Sequence, residues 1–328
     1  MLRWMRQAIA ERRAGLLTYG ITPPKKSFEE AKRREVARRQ LERIAKLPVD
    51  GLVIYDLQDE STRTDAARPF PFMETVDPVD YGLDYLAALK VPKIVYRCVA
   101  PRSIHDLRGN LARLDTAGGL TVLVGAASRT QVARTRLPEA YALCRDELPT
   151  MPVGGVVIAE RHQAKGGEER RLLEKAAAGC SFFVSQAVYS PGASKDLLSD
   201  LYYCCAEEGQ AVPPILVTLS PCGSKKTLEF LGWLGISVPR WLENELLHAR
   251  DILQTSVDLC CEVFADLSTF ARAKGIPLGC NVESVSLKKE EIEASVELLE
   301  RVARLLGRDT SPKSYPATVA NTKLDGSR

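Results

Sequence analysis

Two carboxylic acids and one amide each follow directly on a short apolar segment of this chain. These residues are Asp56, Gln186 and Glu283, and each stands where a buried strand would end. A carboxyl group can exchange protons with a ligand, and an amide both donates and accepts a hydrogen bond. A cyclic amide would satisfy both atoms of the Gln186 side chain, although the same residue could simply close a turn.

Short apolar strands alternate with amphipathic helices along most of the chain and would position these groups. Each strand is continuously hydrophobic, as expected for parallel strands buried on both faces. Eight β/α units predict an α/β fold, a single (β/α)8 barrel of the TIM type whose carboxyl strand ends form the active face. A doubly wound open sheet is the alternative, but the sequence lacks the Gly-rich fingerprint expected after its first strand. The predicted strands are 16–21, 51–55, 93–97, 121–125, 155–159, 181–185, 215–219 and 277–282.

Three parts of the chain are expected: an N-terminal helix in 1–15, the barrel in 16–307 and a flexible tail in 308–328. The first segment is basic and amphipathic, as a mitochondrial presequence would be. Glu11 and the lack of serine there instead favour a helix packed over one end of the barrel.

Ser27 and Glu30 have capping-box spacing, which predicts a helix over 27–46. Further helices are predicted at 79–89, 104–114, 130–147, 168–178, 194–208, 225–234 and 288–306, with two extra helices, 241–248 and 251–274, before the last strand.

Composition excludes several classes of partner. The chain has 328 residues and a net charge of +3, too small to indicate nucleic acid binding. No apolar run is long enough to span a membrane. The nine cysteines are scattered without a Cys-x-x-Cys pair and there are three histidines, so no metal site is predicted. Cysteines on predicted helices and strands indicate reduced thiols and a cytoplasmic protein.

Five segments occur in the order of the predicted barrel elements: 19–25, 160–162, 176–186, 215–224 and 236–241. The first reads Tyr-Gly-Ile-Thr-Pro-Pro-Lys, the second Glu-Arg-His, and the third ends in Val-Ser-Gln. They resemble the motifs Phe-Glu-Phe-Phe-Pro-Pro-Lys, Pro-Glu-x-His, Asp-Ala-Gly-Ala with Thr-Gln, Gly-Ile-Leu-Pro-Val-Ser-Asn and Ile-Pro-x-Trp of the methylenetetrahydrofolate reductase family. Members of that family are flavin-bearing β/α barrels.

The resemblance implies that a reduced folate binds at the carboxyl face. Gln186 falls on the glutamine that holds the pterin ring, and Ser220 lies in the fourth segment, so both are candidate substrate contacts. Tyr189 would stack on a ring or pack beneath its own loop. Arg63 and Arg68 lie in a long loop, where they could bind the anionic tail of folate bidentately or remain solvated.

The flavin side of the resemblance is less complete. His162 keeps the family position, where it would contact the cofactor or be only a surface histidine, and Lys175 is the second candidate there. The family's Leu-Arg-Gly-Asp is Leu-Val-Gly-Ala at 123–126. Because each missing charge-assisted hydrogen bond removes roughly 1.5–3 kcal/mol, FAD is expected to bind weakly. A reduced folate is the expected cofactor, and NAD(P)H could supply a hydride.

Gly20 stands where the family has the glutamate that acts as the acid in folate reduction. In a closed barrel, strand eight lies beside strand one, so Glu283 could reach the space next to Gly20. Glu283 is predicted to act as an acid or base or to anchor the pterin amino group; the alternative is a capping or solvated carboxylate before Lys288. Asp56 is a second catalytic candidate, but it could equally be an N-cap or an ion-pair partner of Arg97.

Three functions follow from the resemblance. The first is an oxidoreductase of one-carbon metabolism, similar to methylenetetrahydrofolate reductase, with a rebuilt acid site. The second is a flavin-free tetrahydrofolate-dependent methyl transferase or demethylase. The third is a non-catalytic folate-binding subunit. The expected partner is the small-molecule folate, with a homo-oligomer or a partner subunit as further expectations.

Overall fold

The computed structural model describes residues 2–60, 66–126 and 131–308. Eight parallel strands close into one ring in chain order, and Tyr19 pairs with Val282 where the ring closes. The predicted barrel is confirmed, and every strand lies within two residues of its predicted bounds. The strands are β1 Leu17–Ile21, β2 Gly51–Ile54, β3 Lys93–Cys98, β4 Leu120–Val124, β5 Val153–Val157, β6 Cys180–Ala187, β7 Ile215–Leu219 and β8 Leu278–Val282.

Helices surround the ring, as the β/α alternation predicts. The two extra helices before the last strand are present as α10 and α11. The helices are α1 Leu2–Ala10, α2 Glu30–Ile44, α3 Pro78–Asp80, α4 Ile104–Thr116, α5 Leu137–Glu147, α6 Ala159–Lys165, α7 Glu168–Ala177, α8 Pro191–Glu207, α9 Lys225–Trp233, α10 Arg240–His248, α11 Ile252–Lys274 and α12 Lys289–Leu305.

The interior of the ring is apolar at its amino end and polar at its carboxyl end. Val53, Phe182 and Leu216 belong to one buried cluster inside the ring. Met5 and Ile9 of α1 join the same cluster, so the first helix closes the amino end of the barrel. The side chains that could meet a ligand are therefore those at the opposite end, as in other barrels of this type.

Three predicted helices start or run differently. The capping box at Ser27 is wrong: α2 begins at Glu30 with Glu29 as its N-cap, since Lys25 pairs with Thr75 and holds the preceding segment in an irregular conformation. The helix predicted over 130–147 begins only at Leu137, where a proline stands in the first turn.

The helix predicted over 79–89 is instead α3, which continues into a single π-helical turn, Tyr81–Tyr85.

The end of the predicted tail has one described residue, Arg308. Its guanidinium donates to the carbonyl of Gly15 and to the Asp50 carboxylate, which ties the end of α12 to the start of β1. The rest of the predicted tail lies outside the described residues. Across 2–60, 66–126 and 131–308, the helices are all too short or too polar to cross a membrane.

Candidate functional site

The carboxyl end of the ring, here called the mouth, is lined by Tyr55, Tyr96, Asn281 and Glu283 around Gly20. Tyr55 directly follows β2 and Tyr96 lies within β3, and their ring centroids are 4.8 Å apart. A Cβ atom on Gly20 would lie 2.9 Å from Cε2 of Tyr55 and 3.0 Å from Cβ of Glu283. Glu283 thus reaches the space beside Gly20, as barrel closure predicts; what it does there stays a prediction.

The position of Glu283 changes its acidity. Burial raises the pKa of its carboxyl from 4.5 to about 7, although a hydrogen bond from Tyr55 acts in the opposite direction. The side chain keeps partial contact with solvent. A carboxyl group of this pKa is present in both protonation states near neutral pH, which is the property of a general acid.

A chain of polar side chains lies beneath this carboxyl, inside the ring. The amide nitrogen of Asn281 donates to the Tyr55 oxygen at 2.9 Å and lies 3.3 Å from Oγ1 of Thr218. The hydroxyl of Thr18 donates to Oδ1 of Asn281 at 2.9 Å. Tyr55 and Asn281 were missed from the sequence; the signal for Asn281 is a polar residue within the apolar strand 277–282.

Gln186 lies on β6 and Ser220 directly follows β7, and these two predicted folate contacts have different surroundings. Gln186 is partly exposed and donates from Nε2 to the carbonyl of Leu234 at 2.8 Å, so half of its amide is engaged after α9. Ser220 is buried, and its Oγ accepts from the backbone of Val285 at 3.3 Å. Ser220 therefore holds the segment that follows Glu283.

Tyr189 is 2% exposed and lies in a buried cluster with Leu228 and Leu231. Its hydroxyl donates to the carbonyl of Ser220. The structure thus places Tyr189 in the packing role that the sequence left open, and its ring does not join the mouth.

Asp56 points away from the ring interior and takes part in an ionic network. Its carboxylate accepts from the backbone of Cys98 at 2.9 Å and from Nη2 of Arg102 at 3.1 Å, and it lies 3.5 Å from Nη1 of Arg97. Arg97 is fully buried and binds Asp77 bidentately at 2.8 and 2.9 Å. The ion-pair alternative for Asp56 is therefore present, and the structure does not bring Asp56 together with Glu283.

This network also sets the acidity of Asp77 and lines a cavity beside the mouth. Burial would raise the pKa of Asp77, but the hydrogen bonds and charge of Arg97, together with the charge of Arg102 and a hydrogen bond from the backbone of Val79, outweigh it and hold that pKa at about 2. Asp56, Asp77 and Arg102 line the cavity, whose volume is about 580 Å³.

Arg68 lies against aromatic rings at the carboxyl side of the barrel. Its guanidinium carbon is 5.6, 5.3 and 5.2 Å from the ring centroids of Phe72, Phe230 and Trp233. Trp233 donates from Nε1 to the carbonyl of Ala66 at 3.0 Å. The loop after β2 thus reaches α9. Burial lowers the pKa of Arg68. Arg63 lies outside the described residues.

His162 and Lys175, the predicted flavin-side contacts, lie in the helical layer outside the ring. His162 has Nδ1 3.0 Å from Oε2 of Glu169 and Nε2 3.1 Å from Oδ2 of Asp200. Lys175 donates to the carbonyl of Val156 at 2.7 Å, and burial lowers its pKa. Both side chains are thus engaged by groups of the helical layer, and their role in cofactor binding stays a prediction.

Metal ligation was not predicted. Throughout the described ranges, no group of three or more His, Cys, Asp or Glu side chains is placed to hold a metal ion.

The closed ring of parallel strands and its polar, acidic mouth define a (β/α)8 barrel with a candidate small-molecule site at the carboxyl ends of its strands. An uncharacterized protein from Clostridium thermocellum, which binds two copies of 5-methyl-5,6,7,8-tetrahydrofolic acid, shares 46% sequence identity with this chain at a TM-score of 0.78. The similarity covers 90% of this chain and 97% of the other. This chain belongs to the same family as that protein.

Other solved structures match this chain at much lower similarity. A dihydropteroate synthase from Xanthomonas albilineans in complex with 4-aminobenzoic acid is 17% identical with a TM-score of 0.43, over 88% of this chain and 92% of the other. The 7,8-dihydropteroate synthase of Vibrio fischeri ES114 is 13% identical with a TM-score of 0.45, over 91% and 95%. Family models give no match to this chain. A search of curated proteins gives none either.

Proposed function

We propose that this protein binds a reduced folate across the mouth of the barrel and acts on its one-carbon unit, as an enzyme similar to methylenetetrahydrofolate reductase. The observation that carries the proposal is Glu283, a carboxyl group of raised pKa inside the mouth beside Gly20. Support also comes from the family relationship to a protein that binds 5-methyltetrahydrofolate.

The proposed reaction uses Glu283 as the acid. When methylenetetrahydrofolate is reduced, one carbon–nitrogen bond of its bridge breaks and the leaving nitrogen takes a proton from Glu283. A hydride from a reduced nicotinamide then forms the new carbon–hydrogen bond, which gives the methyl product and the oxidised nicotinamide. Solvent at the mouth returns a proton to Glu283. Because the protonated form is required, turnover should fall as the pH rises through about 7.

A flavin-free methyl transfer is the second candidate, and one observation favours it. His162 and Lys175 are bound to other groups outside the ring, so the flavin-side contacts are not available at the mouth. In this reaction the bond between N5 and the methyl group breaks, and the methyl group passes to a nucleophilic acceptor. N5 keeps the electron pair and takes a proton, which Glu283 could again supply.

Calorimetry with 5-methyltetrahydrofolate tests the binding step. Glu283→Gln keeps the shape of the side chain, and above pH 7, where Glu283 is ionised, we expect it to raise Kd by about tenfold or more, since a hydrogen bond to a charged group is lost. Glu293→Gln is the matched control, because the Glu293 side chain is 63% exposed on α12. If the wild-type protein binds no reduced folate, the proposal is wrong.

Turnover then separates the candidate reactions. Oxidation of NADH or NADPH that depends on methylenetetrahydrofolate and forms the methyl product supports the reductase. Loss of the methyl group from 5-methyltetrahydrofolate to an added thiol, without a nicotinamide, supports the transferase. Binding with neither reaction leaves the non-catalytic folate-binding subunit.

A further inference from the structure

One hydroxyl group determines which atoms donate and which accept in the chain of hydrogen bonds below Glu283. Thr218 donates its only hydroxyl hydrogen to the carbonyl of Ser185 at 2.7 Å. Its oxygen can therefore only accept from the Asn281 side chain, so the atom of Asn281 at 3.3 Å must be the amide nitrogen. The carbonyl oxygen of Asn281 then faces Thr18, which donates to it.

This orientation fixes the role of the Tyr55 hydroxyl. The same amide nitrogen of Asn281 donates to the Tyr55 oxygen at 2.9 Å, so the hydrogen of Tyr55 is free for another acceptor. Glu283 lies beside this hydroxyl: a Cβ atom on Gly20 would be 3.2 Å from the Tyr55 hydroxyl oxygen and 3.0 Å from Cβ of Glu283.

Few charged or titratable groups face Glu283 from the neighbouring strands. Tyr55 faces it from β2, and Tyr96 faces it from β3. The strands on either side of β8 present the neutral Gly20 and Thr218. Of the two, Tyr55 is the ring whose hydroxyl hydrogen the bond from Asn281 leaves free, and donation from Tyr55 to the carboxyl lowers the pKa that burial raises.

We infer that Tyr55 is a positioning residue for Glu283: Asn281 orients its hydroxyl, which donates to the carboxyl and holds it toward the mouth. As a role in catalysis, this rests on the proposed function. The hydrogen bond itself belongs to the protein without ligand, so it can be tested independently of folate.

The test is a titration of Glu283 in the full-length, ligand-free chain, labelled with carboxyl-¹³C glutamate and followed by NMR. The Glu283 signal is assigned by its loss in Glu283→Gln. Tyr55→Phe keeps the ring and removes the donor, so the titration midpoint should rise by about one pH unit. Tyr96→Phe is the matched control, since it removes a hydroxyl from the adjacent ring of the same mouth, and it should leave the midpoint nearly unchanged.

A second perturbation should shift the titration midpoint of Glu283 in the opposite direction, and it keeps nearly the native volume of the side chain. In the Tyr96→Phe background, 3-fluorotyrosine at position 55 is a stronger donor and should lower the midpoint. The inference fails if Tyr55→Phe leaves the midpoint unchanged or if Tyr96→Phe moves it as far. An unchanged midpoint in a protein that still binds 5-methyltetrahydrofolate refutes the role of Tyr55 alone, whereas absent binding with a shifted midpoint refutes the proposed function alone.

Discussion

Replacing Glu283 by glutamine should stabilise the folded protein at alkaline pH, even though it should weaken folate binding. The carboxyl has a pKa of 4.5 in the unfolded chain and about 7 in the folded one. The folded state therefore holds this proton more tightly. Stability contributed by the protonated group is fully present below pH 4.5 and is lost as the pH rises through 7.

The size of the effect follows from the same pKa change. At about 1.4 kcal/mol for each pH unit, the ionised carboxyl costs about 3 kcal/mol above pH 7. Because Glu283 keeps partial contact with solvent, screening reduces this to about 2 kcal/mol. Glutamine has nearly the same shape and no charge, so the variant avoids that cost. A residue retained at such a cost is typical of a functional site.

Urea unfolding at about pH 5 and about pH 8.5, followed by circular dichroism, measures this difference. We expect the free energy of unfolding of Glu283→Gln to gain about 2 kcal/mol over that of the wild-type protein between the two pH values. Glu293→Gln should show no such gain in the free energy of unfolding. An equal pH dependence in the wild type and Glu283→Gln would show that Glu283 ionises freely, and the acid role would then lose its basis.

Three further perturbations test other parts of the structure. Gly20→Ala should cost about 1–3 kcal/mol in a urea titration, because the new Cβ would meet Tyr55 at 2.9 Å; an unchanged midpoint would contradict this packing. Arg97→Met should cost about 3 kcal/mol at neutral pH, because Asp77 loses both hydrogen bonds from its buried partner and keeps the 3.5 Å contact with Arg102; the loss should shrink as the pH falls from 3.8 towards 2. Arg68→Ala should speed proteolysis of the loop after β2, since about 1–2 kcal/mol of cation–π contact is lost; a cleavage rate like that of the wild type would refute this anchor.

The strands were predictable from the sequence because each is a short apolar run bounded by polar segments. Closure of eight such strands also placed Glu283 beside Gly20, since the first and last strands of a ring must be neighbours. Because every residue of such a strand is buried, the sequence does not show which alternate residues face the interior of the ring. All of Gly51–Ile54 is buried, so the sequence does not show that Tyr55 points inward and Asp56 outward.

Contacts between distant segments account for the other differences. The amide of Gln186 meets a carbonyl 48 residues away, and no local pattern encodes that pairing. Tyr189 is buried by helices that follow β7, which sequence alone does not place over it. The helix α6 was missed because the fifth strand was expected to continue to residue 159, whereas it ends at Val157.

The first helix has a consequence for the order of events at the opposite end of the barrel. Met5 and Ile9 fill the amino end of the ring, so within the part of the chain that the structure describes the carboxyl end is the side open to a ligand. Under the proposed function, the folate and its reaction partner would both enter from this end. The reactant that binds deeper in the mouth is then covered by the other. We therefore expect steady-state kinetics with ordered binding and ordered release.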